Sequence, residues 1–251
     1  MVYLSGFHAI EEKLRAIGSG KKNIYASLLF AKPGPRAREI SDLALSCGIP
    51  IKRVGKHDLD RICFDHKGII LELDENENEN EINSVEDFVA MLEQTDKKNC
   101  IVVVLDEITD PHNFGAILRS CDQFGADAVI TRNKRTAKHS DTISKASAGA
   151  SAWVPLFAVA SLQRSIELLK EAGFWIYGAE MSGQTIYKQH IAGRICIIMG
   201  SEGDGISRLL REQCDVFLSI PSVGKVDSLN VSVAAGIMLY EIFKQQTTKS
   251  K

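Results

Sequence analysis

IVVVLDEITDPHNFGAILRS, residues 101–120, begins with five apolar residues in a row and then changes its period. A strand with one wet face alternates polar and apolar residues, so an unbroken apolar run marks a strand covered on both faces, as in a mostly parallel sheet. Phe114, Ile117, Leu118, Cys121 and Phe124 then share one stripe at helical spacing, and the stretch reads as strand, loop, amphipathic helix. The same pattern recurs downstream. Apolar runs at 127–130 (DAVI), 174–179 (FWIYGA), 195–199 (ICIIM) and 216–220 (VFLSI) alternate with helical patterns, which predicts a three-layer α/β domain.

Upstream, VEDFVAML (85–92) reads as a helix, and before it DENENENEIN, residues 74–83, alternates acid and amide with almost nothing to bury. That segment reads as an acidic, solvated linker dividing the chain into domains of residues 1–73 and 84–251. In the first, Ile10, Leu14 and Ile17 share a helical face, and Ile40, Leu43, Ala44 and Cys47 recur at i, i+3, i+4 and i+7. IYASLLF, IPIKRV and GIILEL supply strands, so this is a small α/β domain. It holds 12 Lys and Arg against 8 Asp and Glu in a chain of net charge -2, a mild excess that permits an anionic partner without demanding one.

A hydrophobic content of 45% over 251 residues is that of a folded, globular protein. The six cysteines form no CxxC pair and sit in or beside apolar runs, so buried thiols are expected and neither a zinc site nor a disulfide framework. Glu11 and Glu12 stand where a signal peptide needs an apolar centre, and no run reaches the roughly 18 residues of a membrane span. The chain reads as cytoplasmic.

Ligands of an open parallel sheet collect at the carboxyl ends of its strands, which directs attention to three loops. In the first, Arg119 points away from the apolar stripe at 100° per residue. On spacing alone it is an ordinary solvated arginine, but DPHNFG crowds Pro, Asn and Gly against a strand end, as in a loop shaped to hold something. In the second, MGSEGDGIS (199–207), three glycines in six positions imply close approach of backbone to a ligand. The Lys-Ser/Thr pair of a phosphate loop is missing, and Glu202 and Asp204 would repel an anion, so a neutral or cationic ligand suits it better. In the third, IPSVGKVDSLNVSVAAGIMLYEIF (220–243), a helix is expected to begin at Asp227 or Ser228, either of which could cap it. Asn230 would then lie in its first turn, where an amide is a poor helix former, and the helix after it is apolar on nearly every side. Such a helix needs covering on two faces, by the sheet and by another subunit. A weaker signal is the basic run from Arg132 through Lys134, Arg135 and Lys138 to Lys145, either a solvated face or a phosphate contact.

In this order and at these strand ends, the loops resemble the three signature motifs of the SpoU (TrmH-type) RNA ribose 2'-O-methyltransferases, and the resemblance covers the whole chain. Asn113, Gly115 and Arg119 match the first motif, Gly200, Ser201, Glu202 and Gly203 the second, and Ser228, Leu229 and Asn230 the third. KASAGAS matches a further family segment through Ser147, Gly149 and Ala150. The first domain resembles the ribosomal-protein-like RNA-binding domain of the subgroup that methylates a guanosine of 23S rRNA. The resemblance implies a deep C-terminal trefoil knot, a homodimer, no metal, and S-adenosyl-L-methionine (AdoMet) held with its adenine near Gly200, Ile220, Leu229 and Ala179. It assigns catalysis to Arg119, with Asn113, Glu202, Ser228 and Asn230 positioning ribose, cofactor or arginine, and with Arg119 reaching a site partly built by the other subunit. A guanidinium, with a pKa above about 12, is no ordinary base, so its expected part is to bind a substrate phosphate and stabilise developing alkoxide, the proton acceptor being phosphate, water or a transiently neutral guanidine. The rival readings are the same chemistry on tRNA or another rRNA nucleotide, a noncatalytic RNA-binding ribosome assembly factor, and a nucleotide-binding module at GSEGDG.

Overall fold

The computed structural model describes residues 2–18, 25–31, 34–63, 66–74, 84–132, 153–224 and 228–248. Nearly all of the expected linker, the basic run after Arg132, Ser147, Gly149 and Ala150 of KASAGAS, and Asp227 lie outside the described residues. The chain forms two compact units, Met1–Glu81 with Asp141–Trp153, and Ile82–Ser140 with Val154–Lys251.

The first unit runs β1 (Val2–Leu4), α1 (Phe7–Gly18), β2 (Tyr25–Phe30), α2 (Pro35–Ser46), β3 (Ile51–Arg53), α3 (Lys56–Ile62), β4 (Ile69–Asp74). Its sheet has the order β1-β4-β2-β3, with only the β2–β3 pair parallel. The helical stripes do what their spacing requires: Ile10 and Leu14 of α1 and Ile40 and Ala44 of α2 close a core with Leu28, Ile69 and Leu71. Alternation along the strands sends Leu29 and Ile70 to a separate cluster with Leu59 of α3. Neither β1 nor α3 was expected. One is three residues long, and the other buries a single side chain, Leu59, which leaves no period to read.

The second unit runs α4 (Val85–Glu93), β5 (Cys100–Leu105), α5 (Pro111–Gln123), β6 (Ala128–Arg132), β7 (Leu156–Val159), α6 (Leu162–Glu171), β8 (Trp175–Thr185), β9 (Arg194–Met199), the single turn α7 (Arg208–Arg211), β10 (Val216–Ser219) and α8 (Val231–Thr248). Its sheet has the order β10-β8-β9-β5-β6-β7, and every pairing is parallel. All six residues of β5 are buried, as the unbroken run at 101–105 demanded. Val102, Val104, Ile130 and Ile198 pack with Phe88 and Leu92 of α4 and Ile166 and Leu169 of α6. Truncating one of these, as in Ile198→Ala, costs about 2–5 kcal/mol. The fold is therefore α/β around a mostly parallel sheet, and among the described residues no helix is long and apolar enough to cross a membrane.

Two features differ from expectation and bear on the site. The strand read as 174–179 extends to Thr185, because its polar second half pairs with β10 after a jump in register: Phe217 faces Gly178, while Leu218 faces Gln184. Ala179 opens the segment that loops out between the two registers. Helix α8 begins at Val231, not at Asp227 or Ser228. Asn230 itself caps it, its Oδ1 accepting from the backbone N–H groups of Ser232 (3.0 Å) and Val233 (3.4 Å), which a serine two residues upstream cannot reach.

Candidate active site

The site forms where the ends of β5 and β9 meet the start of α8. Helix α5 is started by Asp110, whose carboxylate accepts from the N–H groups of His112 and Asn113, with Pro111 at the first helical position, where its missing N–H costs nothing. This fixes Asn113 in the first turn. The glycine loop after β9 closes on itself: Ser201 and Gly205 exchange backbone hydrogen bonds of 3.0 and 3.1 Å. A Cβ on Gly200 would lie 2.2 Å from the carbonyl carbon of Gly205, so only glycine permits the closure. Asp106, buried at the end of β5, accepts from the N–H of Ser207 at 2.8 Å and ties the far side of this loop to the sheet.

Glu202 projects from the closed loop into a three-way junction. Its Oε1 accepts from Nδ2 of Asn230 (2.6 Å), Nδ2 of Asn113 (3.1 Å) and the N–H of Val231 (3.4 Å). Asn230 Nδ2 also donates to Oδ1 of Asn113 at 3.0 Å. The amide orientation is over-determined: Oδ1 of Asn230 faces two backbone donors at the helix start, so its Nδ2 must face the two acceptors. One residue from each of three chain-distant loops thus shares a single network. Oε2 of Glu202 has no partner among the described residues, and the side chain is exposed to the adjoining cavity. That cavity, of about 570 Å³, is lined by Asn113 and Glu202 together with Glu107, Asp110, Asp204 and Arg132.

Of the nine residues expected at the site, the structure brings together Asn113, Glu202 and Asn230. Arg119 stands exposed on α5, does not line the cavity, and bonds to no described residue. Ser228 is exposed and likewise makes no hydrogen bond to a described residue. Gly200 and Ile220 follow β9 and β10, and Ala179 lies within β8 where it leaves its first register; all three are half-buried, while Leu229 is exposed just before the cap. Sequence reasoning did not single out Asp106, Asp110 or Glu107. The first two carried readable signals, a first polar residue after a buried run and a cap followed by proline.

Helices α5 and α8 pack on each other beyond the junction. The ring of Phe124 meets those of Tyr240 and Phe243 at 5.7 and 6.2 Å, and Gly236 faces Ser120. Burial pushes the thiol of Cys121, on the core side of α5, up to about 12, which leaves it unreactive. Along α8, Val233 and Ile237, with Tyr240 and Phe243 at the margin of the contact with Phe124, form a partly exposed apolar stripe, 39–53% accessible.

Residues 100–240 match the family described as "SpoU rRNA Methylase family", and residues 3–79 match "RNA 2'-O ribose methyltransferase substrate binding". An "Uncharacterized tRNA/rRNA methyltransferase" of Borreliella burgdorferi is 43% identical over 87% of the chain and 98% of the relative's own length. The "23S rRNA (guanosine-2'-O-)-methyltransferase RlmB" of Escherichia coli is 36% identical over 98% of the chain and 99% of its own length. Among solved structures, the SpoU methyltransferase AviRb of Streptomyces viridochromogenes in complex with AdoMet superposes with a TM-score of 0.75 at 21% identity, covering 97% of this chain and 89% of that one.

Proposed function

The chain belongs to the SpoU rRNA methylase family, and on that premise we propose that it transfers a methyl group from AdoMet to the ribose 2'-hydroxyl of a guanosine in 23S rRNA, in the cytoplasm. The observation that carries the reading is the junction of Asn113, Glu202 and Asn230, which joins three motifs through one carboxylate oxygen at the wall of a cavity.

The residues fit the cofactor. Gly200 and Ile220 follow the ends of β9 and β10, Ala179 lies at the register break of β8 between them, and Glu202 and Asp204, in the loop after Gly200, suit a cationic sulfonium far better than a phosphate. Together with Leu229 they would hold AdoMet, which when bound supplies an electrophilic methyl group. The chain around it would be threaded as a deep trefoil knot.

The protein's own task is to place the ribose and to ease the loss of its proton. Oε2 of Glu202 accepts a hydrogen bond from a ribose hydroxyl, while Asn113 and Asn230 hold the carboxylate still, so no reorganisation is needed as charge develops. Ser228, in the loop before α8, would orient the ribose or the methionine end of the cofactor. Arg119 donates to a substrate phosphate and to the oxygen becoming an alkoxide. Because Arg119 lies off the cavity within one chain, its place in catalysis requires a second copy, and the apolar stripe of α8 supports a homodimer that delivers it. Residues 1–73 serve as the substrate RNA-binding domain, residues 74–83 as the linker, and residues 84–251 as the methyltransferase domain.

Mapping 2'-O-methyl groups in 23S rRNA from cells with and without the protein tests the reading. One guanosine should lose its methyl group; an unchanged map overturns the assignment. A chain of residues 84–251 should keep AdoMet binding and dimerisation and lose RNA affinity, and full RNA affinity would remove that task from residues 1–73.

A further inference from the structure

The cavity beside Glu202 has a charge problem. Glu107, Asp110, Glu202 and Asp204 line it, and among the described residues Arg132 is the single cation that does so. A ribose enters with its phosphodiesters, and four carboxylates oppose that entry.

Arg132 ends β6, two strands from β9 and beside β5, which places it across the cavity from the glycine loop. Its guanidinium is underused. Nη1 approaches Oε1 of Glu107 at 3.6 Å, an ion pair too long for a hydrogen bond, and both side chains are open to solvent, 40% and 58%. Nε is buried without a hydrogen-bond partner. A guanidinium carries five N–H donors in a planar fork matched to two phosphate oxygens, and none of Arg132's is engaged in a hydrogen bond with a described residue. A loose carboxylate contact beside a buried, idle donor is the arrangement of a fork that a better-fitting anion can take over.

We infer that Arg132 binds an RNA phosphodiester next to the target ribose, and that Glu107 competes with that phosphate for the guanidinium. This rests on the proposed RNA 2'-O-methylation and adds the residue that lets a polyanion enter an acidic cavity. Arg132 and Glu107 act on substrate binding and register, not on the reacting oxygen. Exchanging one anion for another keeps the guanidinium paired and leaves the released Glu107, 58% exposed, to be hydrated, and it makes Glu107 a selectivity element against weaker anions.

The test uses the full chain, unmethylated 23S rRNA transcript as probe, and three proteins: wild type, Arg132→Gln and Glu107→Gln. RNA binding is measured across a salt series, with methyl incorporation and AdoMet affinity alongside. Arg132→Gln should weaken RNA binding about tenfold and flatten the salt dependence by about 0.7–0.9, the slope of one lost phosphate contact. Its KM for RNA should rise, with kcat within about twofold and AdoMet affinity unchanged. Glu107→Gln should tighten RNA binding about threefold. An unchanged salt slope in Arg132→Gln overturns the inference, as does Glu107→Gln weakening RNA binding in step with it, the mark of a merely structural pair. Methyl incorporation by the wild type tests the underlying function separately: its absence sinks the reaction, whereas the slope difference between proteins tests the phosphate contact.

Discussion

Helix α5 carries two polar residues of the site in opposite circumstances. Asn113, in its first turn, is held by Asp110 at its backbone and by Glu202 and Asn230 at its side chain. Arg119, nearly two turns on, is exposed and bonds to no described residue. The first has its geometry set by the fold of one chain, so its function needs no partner to organise it. The second is a charge on a long side chain with several rotamers, and it becomes directional only when something else supplies the other half of its bonds. Orientation is built in at one end of the helix and deferred at the other.

The largest expected effect falls on the deferred end. Arg119→Lys keeps the charge and loses the planar fork, and should lower kcat by at least about 100-fold while AdoMet affinity and melting temperature stay put. Near-normal methyl incorporation would reduce Arg119 to a solvated surface residue. At the organised end the effect is smaller and has two separable parts, because Asn230 both caps α8 and bonds Glu202. Asn230→Ser keeps a good cap and removes the amide donor, so stability should hold within about 0.5 kcal/mol while turnover falls about tenfold. Asn230→Ala should in addition lose about 1 kcal/mol of stability, read in denaturant unfolding. Equal turnover in all three would make the asparagine a cap and nothing more.

The contrast between the two ends also separates what the sequence shows from what it hides. The stripe Phe114, Ile117, Leu118 and Cys121 is buried and Arg119 exposed, as 100° per residue requires, since a helix facing a core has one dominant period. Strand β5 was legible because burial on both faces suppresses alternation. The double use of Asn230 was not, because the start of α8 depends on where the preceding loop delivers the chain, and the local pattern pointed to Asp227 or Ser228 as the cap. The length of β8 was hidden for a related reason: Gln184 and Thr185 pair with β10 through backbone, and their polar side chains leave no hydrophobic signal. Edge strand β7, four residues with one fully buried, lacks a pattern at all. The resemblance named the members of the site, but which three of them meet within one chain is a fact of tertiary geometry.

Whether Arg119 completes its own chain's junction or that of a second copy can be decided with the two defective variants already described. In a two-fold dimer with the arginine acting across the interface, pairing an Arg119→Lys chain with an Asn230→Ser chain places an intact Arg119 against an intact Asn230 at one of the two sites and both substitutions at the other. Random mixing makes about half the dimers mixed, so about a quarter of all sites, and of wild-type turnover, should return. If the arginine served its own chain, every site in every dimer would carry one substitution, and mixing would give only the average of the two parents. Covering the apolar stripe of α8 is the condition for the first outcome: Ile237→Glu, which puts a charge on that stripe, should leave the separately mixed chains monomeric by sedimentation and abolish the recovery together with the dimer. A mixed dimer that gave only the average of its parents would place Arg119 in its own chain's site, against the exposed position it holds on α5.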